Sequence, residues 1–206
     1  MGKVFILMVL FSVLSLYACD GDSGTAAQKK MSKANTKVQS GTEAQHQAAR
    51  QQQAAEKLTM LTEELEAKPD DWEVLNTIGD VHFNMMRFKD AAEYYSKAAK
   101  INRTDVNLLN NLALSLHYIQ RSDEGLTQIN KAIKVDSKYQ RGYLTKGFIL
   151  ATIIRSAETQ ELVDQRAKNI EAAKKAWQKA VDIDPESQIA GAARNFLEQY
   201  GSDQSN

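Results

Sequence analysis

Apolar and small residues recur along this chain at a fixed spacing of 34. Gly79, Ala113 and Gly147 share it, as do Leu75, Leu109 and Tyr143 four residues earlier. Ile78 pairs with Leu112, and later in each unit Ala91 aligns with Gly125, Tyr95 with Ile129, and Ala98 with Ala132. A period of this length, carried by alternating small and large apolar positions, marks stacked helix pairs that cannot bury their apolar faces alone. The pattern predicts helices near 43–67, 72–86, 88–101, 105–119, 122–135, 138–155, 157–183 and 187–199. No run alternates as a strand would, so the expected class is all-α. Asp70-Asp71, Thr104-Asp105, Ser137, and Ser156 ahead of Glu158 supply the chemistry of helix starts.

Small at Gly79, small at Ala91, aromatic at Tyr95 and small at Ala98 is an arrangement that resembles the tetratricopeptide repeat, and the resemblance runs from about Lys57 to Tyr200. It implies a right-handed solenoid of about three helix hairpins (72–105, 106–139 and 140–187) with flanking capping helices. The two prolines test the register. Pro69 and Pro185 lie 116 residues apart, three periods with 14 left over. The same 14 separates the 12-residue step from Gly79 to Ala91 and the 26-residue step from Gly147 to Ala173. An insertion of that size is close to four helical turns. Two turns added to each helix would lengthen the third hairpin and keep both faces in phase.

The amino-terminal part is a different object. Lys3, the apolar stretch Val4 to Leu16 and the small Ala18 form a secretory signal over residues 1–18. The stretch is shorter than the roughly 20 residues of a spanning helix. Leu16-Tyr17-Ala18-Cys19 resembles a bacterial lipobox, which implies acylation of Cys19 as the first mature residue, and Asp20 resembles an inner-membrane retention signal. Cys19 is the only cysteine, so no disulfide forms within the chain. Residues 20–42 lack large apolar side chains and are expected to be a flexible tether reaching roughly 25 Å. The Gln- and Ala-rich 43–56 leads into a helix that caps the first repeat through Leu58, Leu61 and Leu65. The domain spans 43–200, and 201–206 is an expected disordered tail.

With 26 basic and 26 acidic residues, the chain lacks the basic footprint of a nucleic-acid binder. His46, His82 and His117 have no metal spacing, and no catalytic constellation is legible. His82 is expected at the packed seam and His117 on the concave surface. The expectation is of no cofactor, no metal, no small-molecule substrate and no enzyme, although an enzyme or metal site at His82 and His117 is the contrasting class. The tetratricopeptide resemblance implies that function sits on the concave face of the first helices. Counting the register places there Glu73, Asn76, Asp80, Phe83 and Asn84, then Asn107, Asn110, Leu114, His117 and Tyr118, then Arg141, Leu144, Phe148 and Ala151. Asparagines there suit the backbone of an extended peptide, and Phe83, Tyr118 and Phe148 suit its side chains. Asn76, Asp80 and Asn110 stand where clamps for acidic carboxy-termini carry bases, with Arg141 the single base, so such a clamp is not expected. The implied role is a lipid-anchored, periplasm-facing scaffold that helps assemble an outer-membrane, pilus or secretion machine. The alternative is an accessory factor for c-type cytochrome maturation.

Overall fold

The computed structural model describes residues 26–153 and 160–201, and among these every regular element is an α-helix. The helices are α1 (Ala26–Ala67), α2 (Trp72–Asn84), α3 (Phe88–Ile101), α4 (Val106–Tyr118), α5 (Ser122–Val135), α6 (Gln140–Thr152), α7 (Gln160–Ile183) and α8 (Gln188–Gly201). None of them is long and apolar enough to cross a membrane. The chain divides into two units, Met1–Arg50 and Gln51–Asn206. What is described of the first is helix, and the packing below belongs to the second. The signal and Cys19 lie outside the described residues. From Ala26, the first described residue, the chain is helical through part of the stretch expected as a tether. Between there and Ala67 the chain has one glycine, Gly41, and no proline, and its Ala, Gln, Lys and Glu residues favour helix without any burial.

Each helix pair is fixed by a steric fit between its two members. With units counted from Trp72, Val106 and Gln140, the eighth position of the first helix meets the twenty-fourth position of the unit, which the 14 extra residues move to the thirty-eighth in the third. A Cβ on Gly79 would stand 2.6 Å from the Tyr95 ring, and one on Gly147 would run into the Trp177 indole. In the middle unit the sizes are exchanged. Ala113 faces the smaller Ile129, and the missing atom is at Gly125, where a Cβ would lie 2.7 Å from the Ala113 carbonyl oxygen. Ala98, Ala132 and Ala180 repeat the small residue farther along, each fully buried. Side chains this close leave no room for another methyl group.

The cores bridge neighbouring units. Leu75 and Tyr95 pack with Leu108, Leu112 and Leu116 of α4. Leu109, Ala113 and Ile129 pack with Ile149 of α6. Trp177 and Ala180 pack with Ala193 of α8, flanked by Tyr143, Leu144 and Phe196. The first helix of the next pair therefore completes each core. Leu65 of α1 closes the open side of the first one.

Local chemistry ends the helices where the sequence says it should, with one exception. Asp71 accepts from the amides of Glu73 and Val74, and Asp105 from that of Leu108. Ser187 Oγ accepts from the Ala190 amide at the head of α8. Ser137 does not cap α6, whose flanking residue is Tyr139 with no side-chain cap. At the other ends, α2 and α4 close identically. Arg87 N reaches His82 O and Met86 N reaches Phe83 O, while Arg121 N reaches Leu116 O and Gln120 N reaches His117 O. This double bond pattern needs a left-handed residue, and Met86 (φ 59°) and Gln120 (φ 66°) supply it without being glycine.

The 14 extra residues are not shared between two helices as the phase argument expected. Helix α6 is 13 residues long, like α2 and α4, and stops at the same register position, where Ile153 turns extended (ψ 108°). Helix α7 has 24 residues where α3 and α5 have 14, which accounts for ten. The other four fall between Thr152 and Gln160, where residues 154–159 lie outside the described residues. Ser156 and Glu158 lie outside the described residues.

Two predictions follow from this packing. Gly125→Ala should destabilise the fold by about 1–3 kcal/mol, because the new methyl meets a backbone carbonyl that cannot rotate away. Gly191→Ala, with nothing within 4 Å of its Cβ, should instead be stabilising by up to about 1 kcal/mol. Thermal unfolding that ranked the two the other way would overturn the seam described here. Separately, Gln120→Gly should raise stability by about 1 kcal/mol through relief of the left-handed strain. Denaturant unfolding of this variant with an unchanged or lowered midpoint would contradict it.

Candidate functional site

The first helices of the units bring their ninth, twelfth and thirteenth positions together on one side of the stack, and aromatic rings there form an unbroken series of contacts. Phe83 meets Phe88 edge-on at 5.2 Å and Tyr118 at 6.1 Å, and Phe88 stacks on Tyr118 at 4.4 Å. Tyr118 continues to Phe148 at 6.5 Å, Phe148 to Phe196 at 6.4 Å, and Phe196 to Trp177 at 5.0 Å. Tyr200 ends the series against Trp177 at 5.3 Å. Phe83 and Phe148 are half-buried, and Tyr118 is 38% exposed. Burial raises the Tyr118 phenol above its usual pKa.

Sequence reasoning missed four members of this strip, Phe88, Trp177, Phe196 and Tyr200. Helix α8 begins at Gln188, which is the first position of a fourth unit once the insertion is counted. Its ninth and thirteenth positions are Phe196 and Tyr200. The register therefore contained them, and treating α8 as a mere cap hid them. Phe88, from the start of α3, also lies outside a count restricted to first helices.

His117 is a strut within this strip. Its Nδ1 lies 2.9 Å from Ser122 Oγ and its Nε2 lies 3.1 Å from Thr152 Oγ1, so one ring ties α4, α5 and α6 together. Burial lowers its pKa and holds it neutral. His82 has other company. It stacks on Tyr94 at 5.4 Å, with its side chain 12% exposed and Asp90 Oδ2 3.6 Å from its Nδ1, too far for a hydrogen bond. Its pKa too is lowered, first by burial, with Asp90 opposing and Arg87 assisting. Among the described residues, no group of three or more His, Cys, Asp or Glu side chains could hold a metal.

The polar positions divide into exposed and engaged ones. Glu73, Asn84, Asn107 and Arg141 are exposed, and Asn107 Oδ1 accepts the Tyr139 hydroxyl at 3.1 Å. Burial is the main reason the Tyr139 phenol is pushed up to about 12. Asp80 Oδ1 accepts both the Tyr95 hydroxyl, at 2.6 Å, and Asn111 Nδ2, at 3.2 Å, which links the first two units. Burial, then the bond to Asp80, raises the Tyr95 pKa far enough to keep that hydroxyl a donor. Leu144 contributes its carbonyl, which accepts from Trp177 Nε1 at 3.3 Å, and Ala151 is half-buried.

Two expected groove residues are not open surface. Asn110 is 2% exposed and Leu114 is buried. Helix α4 is contacted by both α2 and α6, and its fifth and ninth positions are buried where those of α2 and α6 are half-buried.

Comparison with known proteins agrees with this architecture. Residues 73–105 match the family model described as tetratricopeptide repeat. Hsp70-Hsp90 organizing protein 3 of Arabidopsis thaliana is 31% identical over 97 residues, covering 45% of this chain and 17% of that protein. This chain thus spans less than a fifth of the length of the curated relatives it matches. Among solved structures, a tetratricopeptide repeat protein from Parabacteroides merdae superposes with a TM-score of 0.58 at 13% identity, over 78% of this chain and 59% of that one. The first tetratricopeptide domain of Spaghetti (RPAP3), bound to the HSP90 peptide SRMEEVD, gives 0.52 at 17% identity, over 66% and 94%. Residues 73–105 thus match the tetratricopeptide repeat model, and the helices share the fold of these solved tetratricopeptide structures.

Proposed function

We propose that this protein is a non-enzymatic adaptor that holds an extended segment of another protein along the aromatic strip. The observation that carries the reading is the continuity of that strip across four first helices, from Phe83 to Tyr200, with Tyr118 exposed at its middle. Rings already fixed by their neighbours present apolar area with little conformational freedom to lose on binding. An acidic carboxy-terminus, such as the peptide held by Spaghetti, does not suit this surface. Asn76, Asp80 and Asn110 occupy the groove positions of the first two units, and Arg141 is the only base offered. The reading also places the protein at the cell envelope, held by an acylated Cys19, as a scaffold for an outer-membrane, pilus or secretion assembly. The support for that part is the run Leu16-Tyr17-Ala18-Cys19 behind an apolar signal.

A photo-crosslinking residue at Tyr118 should give a discrete adduct with one partner in cells that make the full chain. The same residue at Lys131, on α5, should give none. Removal of an aromatic anchor at such a site costs more than about 1 kcal/mol of binding, so Tyr118→Ala should weaken partner capture roughly five-fold or more. Equal adducts at both positions would sink the groove as the binding face. For the anchor, Cys19→Ser should release the protein from membranes while leaving its helicity intact. An unmodified amino terminus in the wild-type protein, seen by mass spectrometry, would refute the acylation.

A further inference from the structure

One end of the strip is polar, and the buried polar atoms left unmatched there, on Asn76 and Asn110, are acceptors. Asp80 and Asn76 are one helical turn apart on the same face of α2, and Asn110 stands at the matching position of α4. Asp80 uses a single oxygen, Oδ1, for both of its bonds, to Tyr95 and Asn111, which fixes the carboxylate and leaves Oδ2 without a partner among the described residues. Asn110 points its Nδ2 at Asn111 Oδ1 (3.5 Å), so its own carbonyl oxygen faces away from that bond. That oxygen and Asn76 Oδ1 are buried and accept no hydrogen bond. Asn110 is 98% buried, which makes an unmatched carbonyl there costly. The exposed Glu73, two turns before Asp80, adds negative charge on the same face, and no base occupies a groove position of either of these two units.

We infer that this corner of the groove is a receptor for an arginine side chain carried on the extended partner segment. A guanidinium offers five N–H donors in a flat fork and no acceptor, which is the complement of one carboxylate and two amide carbonyls spread over two helices. Phe83 follows Asp80 on α2 by three residues and leads from this corner to Phe88 and Tyr118. The segment then runs from the charged corner over Tyr118 towards Phe148, so an arginine precedes or follows an apolar or aromatic residue by a few positions. This rests on the groove reading above and gives it a chemical preference opposite to that of an acid-binding clamp.

The test uses the full chain in detergent against a displayed library of random dodecapeptides, with Tyr118→Ala as the counter-selection that defines groove binders. Groove binders should be enriched in arginine and depleted in aspartate and glutamate relative to the starting library. A synthetic arginine-containing binder should lose at least ten-fold in affinity with Asp80→Asn, a change that keeps an acceptor for Tyr95 and Asn111. Its citrulline counterpart, neutral but of the same shape, should bind both proteins alike. Groove binders without arginine enrichment, or an arginine peptide indifferent to Asp80→Asn, would overturn the receptor and leave the groove standing. A library that yields no binder sensitive to Tyr118→Ala would overturn both.

Discussion

The fit of a ring against a missing Cβ governs this structure. Where Gly79 and Gly147 stand, the Tyr95 and Trp177 rings occupy the space of a Cβ, and in the middle unit the missing Cβ is at Gly125 against the Ala113 carbonyl, so each pair closes to a separation that a side chain would block. That separation sets how far apart the two helices of a pair lie, and so how the next pair stacks. The Tyr95 hydroxyl then arrives at Asp80, and the Trp177 indole at the Leu144 carbonyl and the Phe196 ring. A seam contact thus positions both the polar and the aromatic ends of the concave strip.

The fold was largely legible in the chain because its packing is periodic. A contact that recurs in three units leaves its size constraint three times, and Gly79, Ala113 and Gly147 report it at constant spacing. What was not legible has no such repetition. The division of 14 extra residues between a helix and its connection depends on where α6 stops, and the sequence around Ile153 contains neither glycine nor proline to say so. The helix through residues 26–42 rests on propensity and not on a repeating burial pattern, so the periodicity does not report it.

The candidate site was legible in its face but not in its depth. Register assigns Asn110 and Asn76 to the same direction, yet the first is buried, with α2 and α6 both contacting α4, and the second half-buried. Depth changes chemistry. An exposed asparagine is an adaptable surface group, whereas a covered one with an unmatched carbonyl has a fixed demand for a donor. The strip therefore has two ends of different character, acceptor-rich at α2 and apolar at α8.

The ends of the first helices carry a consequence for how such a chain can change. Helices α2, α4 and α6 stop at the same register position, although the residues that follow Thr152 number 14 more before the next packed turn of α7. The seam residues Gly147, Trp177 and Ala180 meet as their counterparts do in the shorter pairs. The start of the second helix of a pair, where α7 carries ten extra residues, is thus a free length in the architecture. Material can be added or removed there, over evolutionary time or by design, without disturbing the pitch of the stack or the concave face it presents.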